Sequence, residues 1–63
     1  MEKYYELSVH DRSTGYSETY KDEWTAKNAA HEAYLNSYGI DIVELYEVRK
    51  YKNGKIERIP LMG

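Results

Sequence analysis

Residues 42–61 read IVELYEVRKYKNGKIERIPL, two strand-like runs meeting at Asn53-Gly54. An Asn-Gly pair between alternating apolar runs is the strongest short-range signal for a β-hairpin. It suits a two-residue type I′ turn, which needs positive φ at both central positions. Pairing outward from such a turn sets Tyr51 against Ile56, Lys50 against Glu57, Arg49 against Arg58, Val48 against Ile59 and Tyr46 against Leu61. Tyr46, Val48, Ile59 and Leu61 are then expected in the core, and Arg49, Tyr51, Ile56 and Arg58 outside. Val43 and Leu45 share one parity while Tyr46 and Val48 share the other. Either a β-bulge near Leu45-Tyr46 or a strand covered on both faces accounts for that change. Pro60 lacks a backbone N–H, which marks the last strand as an edge.

Upstream, residues 3–11 alternate, with Tyr5, Leu7 and Val9 on one side and Tyr4, Glu6, Ser8 and His10 on the other: a half-buried strand. Asp11-Arg12-Ser13-Thr14-Gly15 is a turn, in which Asp11 bonds the backbone ahead and Gly15 offers a left-handed exit. Residues 16–21 return as a strand with Tyr16, Glu18 and Tyr20 on one face. The loop alone leaves its register open, and a one-residue slip exchanges the faces.

Between the hairpins, residues 25–38 form the one expected helix. Thr25 serves as N-cap, with Asp22 its rival, and Trp24 is placed to staple onto Ala29. Ala26, Ala29, Ala30, Ala33 and Tyr34 fall on one stripe at helical spacing, so the helix should lie close to its sheet. Gly39 is the expected stop, with Ile40 reaching back to Leu35. The predicted fold is α+β in the order ββαββ, the helix packed on one face of a small antiparallel sheet. Residues 1–63 are read as a single compact domain.

Composition narrows the function. The chain has eleven branched aliphatics, one Trp, eight Tyr, no Phe and no Cys. So small a core stock requires some tyrosines to be structural, or a second copy to supply burial, and a homodimer is expected. Without Cys there is no disulfide and no thiolate metal site, as in a cytoplasmic protein. No apolar run nears the roughly 20 residues that cross a bilayer, and Met1-Glu2-Lys3 does not open a signal peptide. Residues 1–48 hold ten acids against four bases, and residues 49–63 hold five bases against Glu57. Such a split speaks of partners rather than fold.

Residues of catalytic type are present without catalytic spacing. His10-Asp11 with Ser8 and Ser13 has triad chemistry but lies at the end of an exposed hairpin, where no sheltered oxyanion hole is expected. His31 has Lys27 and Leu35 at i−4 and i+4, neither a metal ligand. The carboxylates Asp22-Glu23 and Asp41, Glu44 and Glu47 read as solvated acids. The four glycines are isolated and make no phosphate loop. No enzyme activity, cofactor or metal is therefore expected.

Two features suit binding. Tyrosine gives a large rigid contact area with a polar tip, and Tyr16 and Tyr20 sit on the first hairpin. Arg49, Tyr51, Ile56 and Arg58 form the exposed face of the second. Together they suggest a protein-binding module, an inhibitor or adaptor working through a tyrosine-rich sheet surface. Small inhibitors made by phages and mobile elements against host proteins share this size and composition. The alternative is a nucleic-acid-binding accessory protein, with Tyr51 as stacking platform and Arg49, Lys52, Lys55 and Arg58 on phosphates. Against it stand the net charge of −2 and the acids Glu47 and Glu57, which lie within reach of the arginines and would neutralise them.

Overall fold

The computed structural model describes residues 1–37 and 41–62. Strands β1 (Glu2–His10) and β2 (Gly15–Tyr20) lead into helix α1 (Glu23–Asn36), followed by β3 (Ile42–Lys50) and β4 (Ile56–Met62). The four strands make one open antiparallel sheet in the order β2-β1-β3-β4, and the helix packs on one face of it, as the ββαββ reading expects.

The alternation of β1 sets the core. Tyr5, Leu7 and Val9 are buried on the helix side and meet Glu47, Leu45 and Val43 of β3. Ala26 and Ala30 close this layer from above, with Tyr20, Ala29, Ala33 and Met62 packed around it. Alanine leaves little side chain between helix and sheet, so the backbones approach closely.

Asp22, not Thr25, caps the helix. Its carboxylate accepts the Thr25 N–H at 2.8 Å and the Thr25 hydroxyl at 2.9 Å, so one side chain serves both donors. The helix therefore begins earlier than predicted, and Trp24 lies in its first turn, exposed, rather than stapled onto Ala29. Tyr34, assigned to the buried stripe, is also exposed. The predicted stop at Gly39, the reach of Ile40 and the helix end at Tyr38 lie outside the described residues.

The first hairpin resolves as Val9↔Tyr16, Leu7↔Glu18 and Tyr5↔Tyr20, which turns both tyrosines toward the helix side. Asp11 organises its turn by accepting the N–H groups of Ser13 and Thr14, each at 2.8 Å. Gly15 is not left-handed, since Gly54 alone among the described glycines has positive φ. What requires glycine at 15 is space: a Cβ there would lie 2.8 Å from the His10 Cβ.

The second hairpin departs from the predicted pairing by one residue. Gly54 (φ +88°) donates its N–H to the Tyr51 carbonyl at 3.0 Å, and Tyr51 donates to the Lys55 carbonyl at 2.9 Å. This is a three-residue loop, a turn followed by one left-handed glycine, rather than the two-residue type I′ turn. Asn53 accepts the Lys55 N–H at 3.0 Å and fixes it. The strands then pair as Lys50↔Ile56, Arg49↔Glu57, Val48↔Arg58, Glu47↔Ile59 and Tyr46↔Pro60. One added loop residue exchanges the faces of β4 relative to β3. Arg49 and Arg58 are consequently not opposed; they lie on opposite faces of the sheet. Tyr46 and Val48 belong to the face away from the helix, while Ile59 shares the helix side with Glu47. The register does shift at Leu45/Tyr46, but the extra residue is Leu61 on β4, and β3 itself alternates without interruption.

Candidate functional site

The six residues expected to bind do not form one surface. Tyr16 and Tyr20 border the groove between β2 and the helix. Tyr20 is half-buried against the core and donates its hydroxyl to Glu18 at 2.5 Å, which pushes its phenol up to about 12. Tyr16 is exposed at the rim.

Arg49 lies on the helix side of the sheet, where α1 does not reach β4. Its Nε donates to Glu47 at 2.6 Å, and its Nη1 lies 3.8 Å from a Glu57 oxygen that also accepts the Tyr51 hydroxyl at 3.1 Å. Glu47 is only 8% exposed, so this guanidinium neutralises an acid that water scarcely reaches. Bonding to Glu47 and then Tyr51 raises the Arg49 pKa further. The positive charge and the phenol that looked available for phosphate or protein are thus engaged within the sheet.

Arg58 stands on the open face. It is bonded to Glu6 across two strands, and its guanidinium rests 4.8 Å from the centre of the Tyr46 ring. Lys50 sits similarly 5.4 Å from the centre of the Tyr4 ring. Val48, flanked by its cross-strand partners Tyr4 and Arg58, is buried although no helix covers this side. Ile56 is exposed at the end of the same face.

Toward the other end of the open face, Glu44 accepts the Tyr46 hydroxyl and meets His10 Nε2 at 3.1 Å. The Tyr46 bond first, and His10 second, hold the Glu44 carboxyl below its usual range, while the Tyr46 phenol is raised by the same bond. Glu6, Ser8, Ser17, Glu44, Tyr46 and Arg58 line a shallow, open depression here. His10 turns to an acid rather than to a serine, and His31 lies exposed on the helix, so the two histidines are not brought together. Among the described residues no group of three or more His, Asp or Glu could hold a metal ion.

A different surface emerges from α1. Its alanines face the sheet, and its large apolar side chains face solvent: Trp24 is 75% exposed, Leu35 57% and Tyr34 50%. Trp24, Asn28, His31 and Leu35 follow one another at i, i+4, i+7 and i+11, a single stripe along the outer side of the helix. Asn28 anchors its start by donating to the Trp24 carbonyl at 3.0 Å. Sequence reasoning missed this stripe because it set Trp24 outside the helix. The signal was present: the spacing that grouped the alanines also groups Trp24 with Leu35.

No known protein family, curated protein or solved structure matches the chain. Among the described residues no helix is long and apolar enough to cross a membrane.

Proposed function

We propose that this chain is a small, non-enzymatic protein-binding module of the inhibitor or adaptor type, acting in the cytoplasm, whose contact surface is the outer stripe of α1. One observation carries the reading. A helix that seats alanines on its sheet and turns Trp24, Tyr34 and Leu35 to water has its binding residues on the outside. Trp and Tyr are the residue types that most often dominate protein interfaces. Unlike the arginines of the sheet, which are held by acids, Trp24 and Leu35 are large apolar side chains turned mostly to water. An amphipathic helix laid in a partner's groove is read through anchors at such spacings.

The test is binding by the intact chain and by Trp24→Ser/Leu35→Ser. Both positions are solvent-exposed, so the variant should keep the wild-type circular dichroism spectrum and thermal midpoint. A protein captured from the native host by wild type and lost by the variant, then reconstituted from purified components, supports the proposal. Equal capture by both removes the stripe as the contact.

The nucleic-acid alternative loses its shared platform when Arg49 and Arg58 part to opposite faces, each held by acids. A salt titration with oligonucleotides discriminates it. Binding through these residues would weaken steeply with added salt, with a smaller slope in Arg49→Ala/Arg58→Ala.

A further inference from the structure

The two edges of the sheet are not equivalent, and the difference identifies a surface for a second copy of the chain. In the first hairpin Asp11 donates its N–H to the Thr14 carbonyl at 2.9 Å, so this closing pair is an inward hydrogen-bonded one. Antiparallel pairs alternate, so Val9↔Tyr16, Leu7↔Glu18 and Tyr5↔Tyr20 direct their backbone groups at each other. Gly15, Ser17 and Thr19 then turn their N–H and C=O groups to the free edge of β2. The same alternation from Tyr51 and Lys55 puts Ile56, Arg58 and Pro60 on the free edge of β4. There Pro60 supplies no N–H, and the bulge at Leu61 breaks the line. Edges guarded by proline and bulges resist pairing with another strand. The β2 edge has neither device, and the side chains at its outward positions are a glycine, a serine and a threonine.

We propose that β2 pairs antiparallel with β2 of a second copy, about a two-fold axis at Ser17, to join two sheets into one of eight strands. Three registers respect the outward positions, and chemistry selects among them. Centring on Glu18 sets two carboxylates directly opposite, which repels. Centring on Tyr16 pairs Gly15 with Ser17 and leaves Thr19 beyond the partner strand. Centring on Ser17 pairs Ser17 with its copy and Gly15 with Thr19 on each side, for about six main-chain hydrogen bonds. It also lays each Tyr16 beside the partner copy's Glu18. Glu18 already receives the Tyr20 hydroxyl on Oε2, and a second phenol donor completes the solvation of a carboxylate at an otherwise open edge. Antiparallel pairing keeps both helices on one side, so their outer stripes stay exposed. This inference is therefore independent of the helix-borne contact.

Sedimentation of the whole chain over a concentration series into the high micromolar range is the experiment, with amide exchange read at the same concentrations. A dimer is expected, with the Ser17 and Thr19 amides gaining protection as concentration rises. Ser17→Lys places like charges opposite each other on the axis and should weaken self-association about fivefold or more. The position is exposed, so its thermal midpoint at low concentration should stay that of wild type. Ser17→Pro removes an edge-facing donor, as Pro60 does on β4, and should abolish the dimer. If that variant fails to fold, Ser17→Lys still decides. A chain monomeric throughout overturns the proposal. So does a dimer whose Ser17 and Thr19 amides exchange freely and which Ser17→Lys leaves intact.

Discussion

Leu45→Ala tests the packing on which every surface assignment above depends. The side chain is 1% exposed and faces Leu7 across the two central strands, beneath Ala26 and Ala30. Removing its terminal isopropyl group forfeits roughly 2.4 kcal/mol at about 0.8 kcal/mol per carbon. The alanines have no rotatable atoms to fold into the cavity, so even with Met62 filling part of it roughly 50 Å³ of residual volume adds about 1.2 kcal/mol. A loss of about 3.5 kcal/mol follows, against the roughly 3–9 kcal/mol that a chain of 63 residues holds in total. With a urea slope of about 1 kcal/mol/M, the unfolding midpoint should fall by about 3.5 M. Far-UV circular dichroism is the appropriate probe, since the exposed Trp24 senses little of the core. Leu35→Ala is the control and should stay within about 0.5 kcal/mol of wild type. A loss below about 1.5 kcal/mol at Leu45, or a loss of that size at Leu35, would refute the assignment of inner and outer faces.

Four further outcomes are expected. Gly54→Ala forces a left-handed alanine and should cost about 1–2 kcal/mol by urea unfolding. Asn53→Ala loses one bond to Lys55 and should cost about 1 kcal/mol or less, so equal large costs would revive the two-residue turn. Asp11 and Asp22 have carboxyls below the ordinary 3.8, held there first by the backbone N–H groups of Thr14 and Thr25 respectively. What they add to stability is whole at neutral pH, declines as pH falls through about 4, and vanishes beneath their folded values; Asp22→Asn should flatten that acid limb of the thermal midpoint. The Tyr20 phenol, raised to about 12 by Glu18, adds stability that is whole below pH 10 and is lost as pH rises toward 12. An ultraviolet phenolate titration should show Tyr20 and Tyr46 ionising late, and Glu18→Gln should return Tyr20 alone toward the ordinary range.

Much of this fold is written in local patterns. The alternation of Tyr5, Leu7 and Val9 and the spacing of the alanines each survive intact in the structure, because burial on one face enforces them. The second hairpin was legible in existence and not in register. Asn53-Gly54 serves either loop length, and the choice turns on hydrogen bonds among Tyr51, Asn53, Gly54 and Lys55 that no periodicity encodes. That single residue of loop separated Arg49 from Arg58 and dissolved the exposed face inferred for them. The pairing of Arg49 with Glu47 and Glu57 was legible within the hairpin, whereas that of Arg58 with Glu6 was hidden, since the two meet only through the strand order β2-β1-β3-β4. Trp24 was obscured by a competition between two good caps one turn apart, which Asp22 wins by holding both the amide and the hydroxyl of Thr25.

The central place of β1 governs how the chain folds. Its first neighbour, β2, follows across a short turn, while its second, β3, pairs at separations from 32 residues (His10 with Ile42) to 48 (Glu2 with Lys50). The two hairpins close on the microsecond scale but are marginal alone. Joining β1 to β3 encloses β2 and the helix in one long loop, whose closure entropy must be met before the contacts that reward it exist. On the ribosome β1 emerges before its second neighbour and waits for it until β3 has been made.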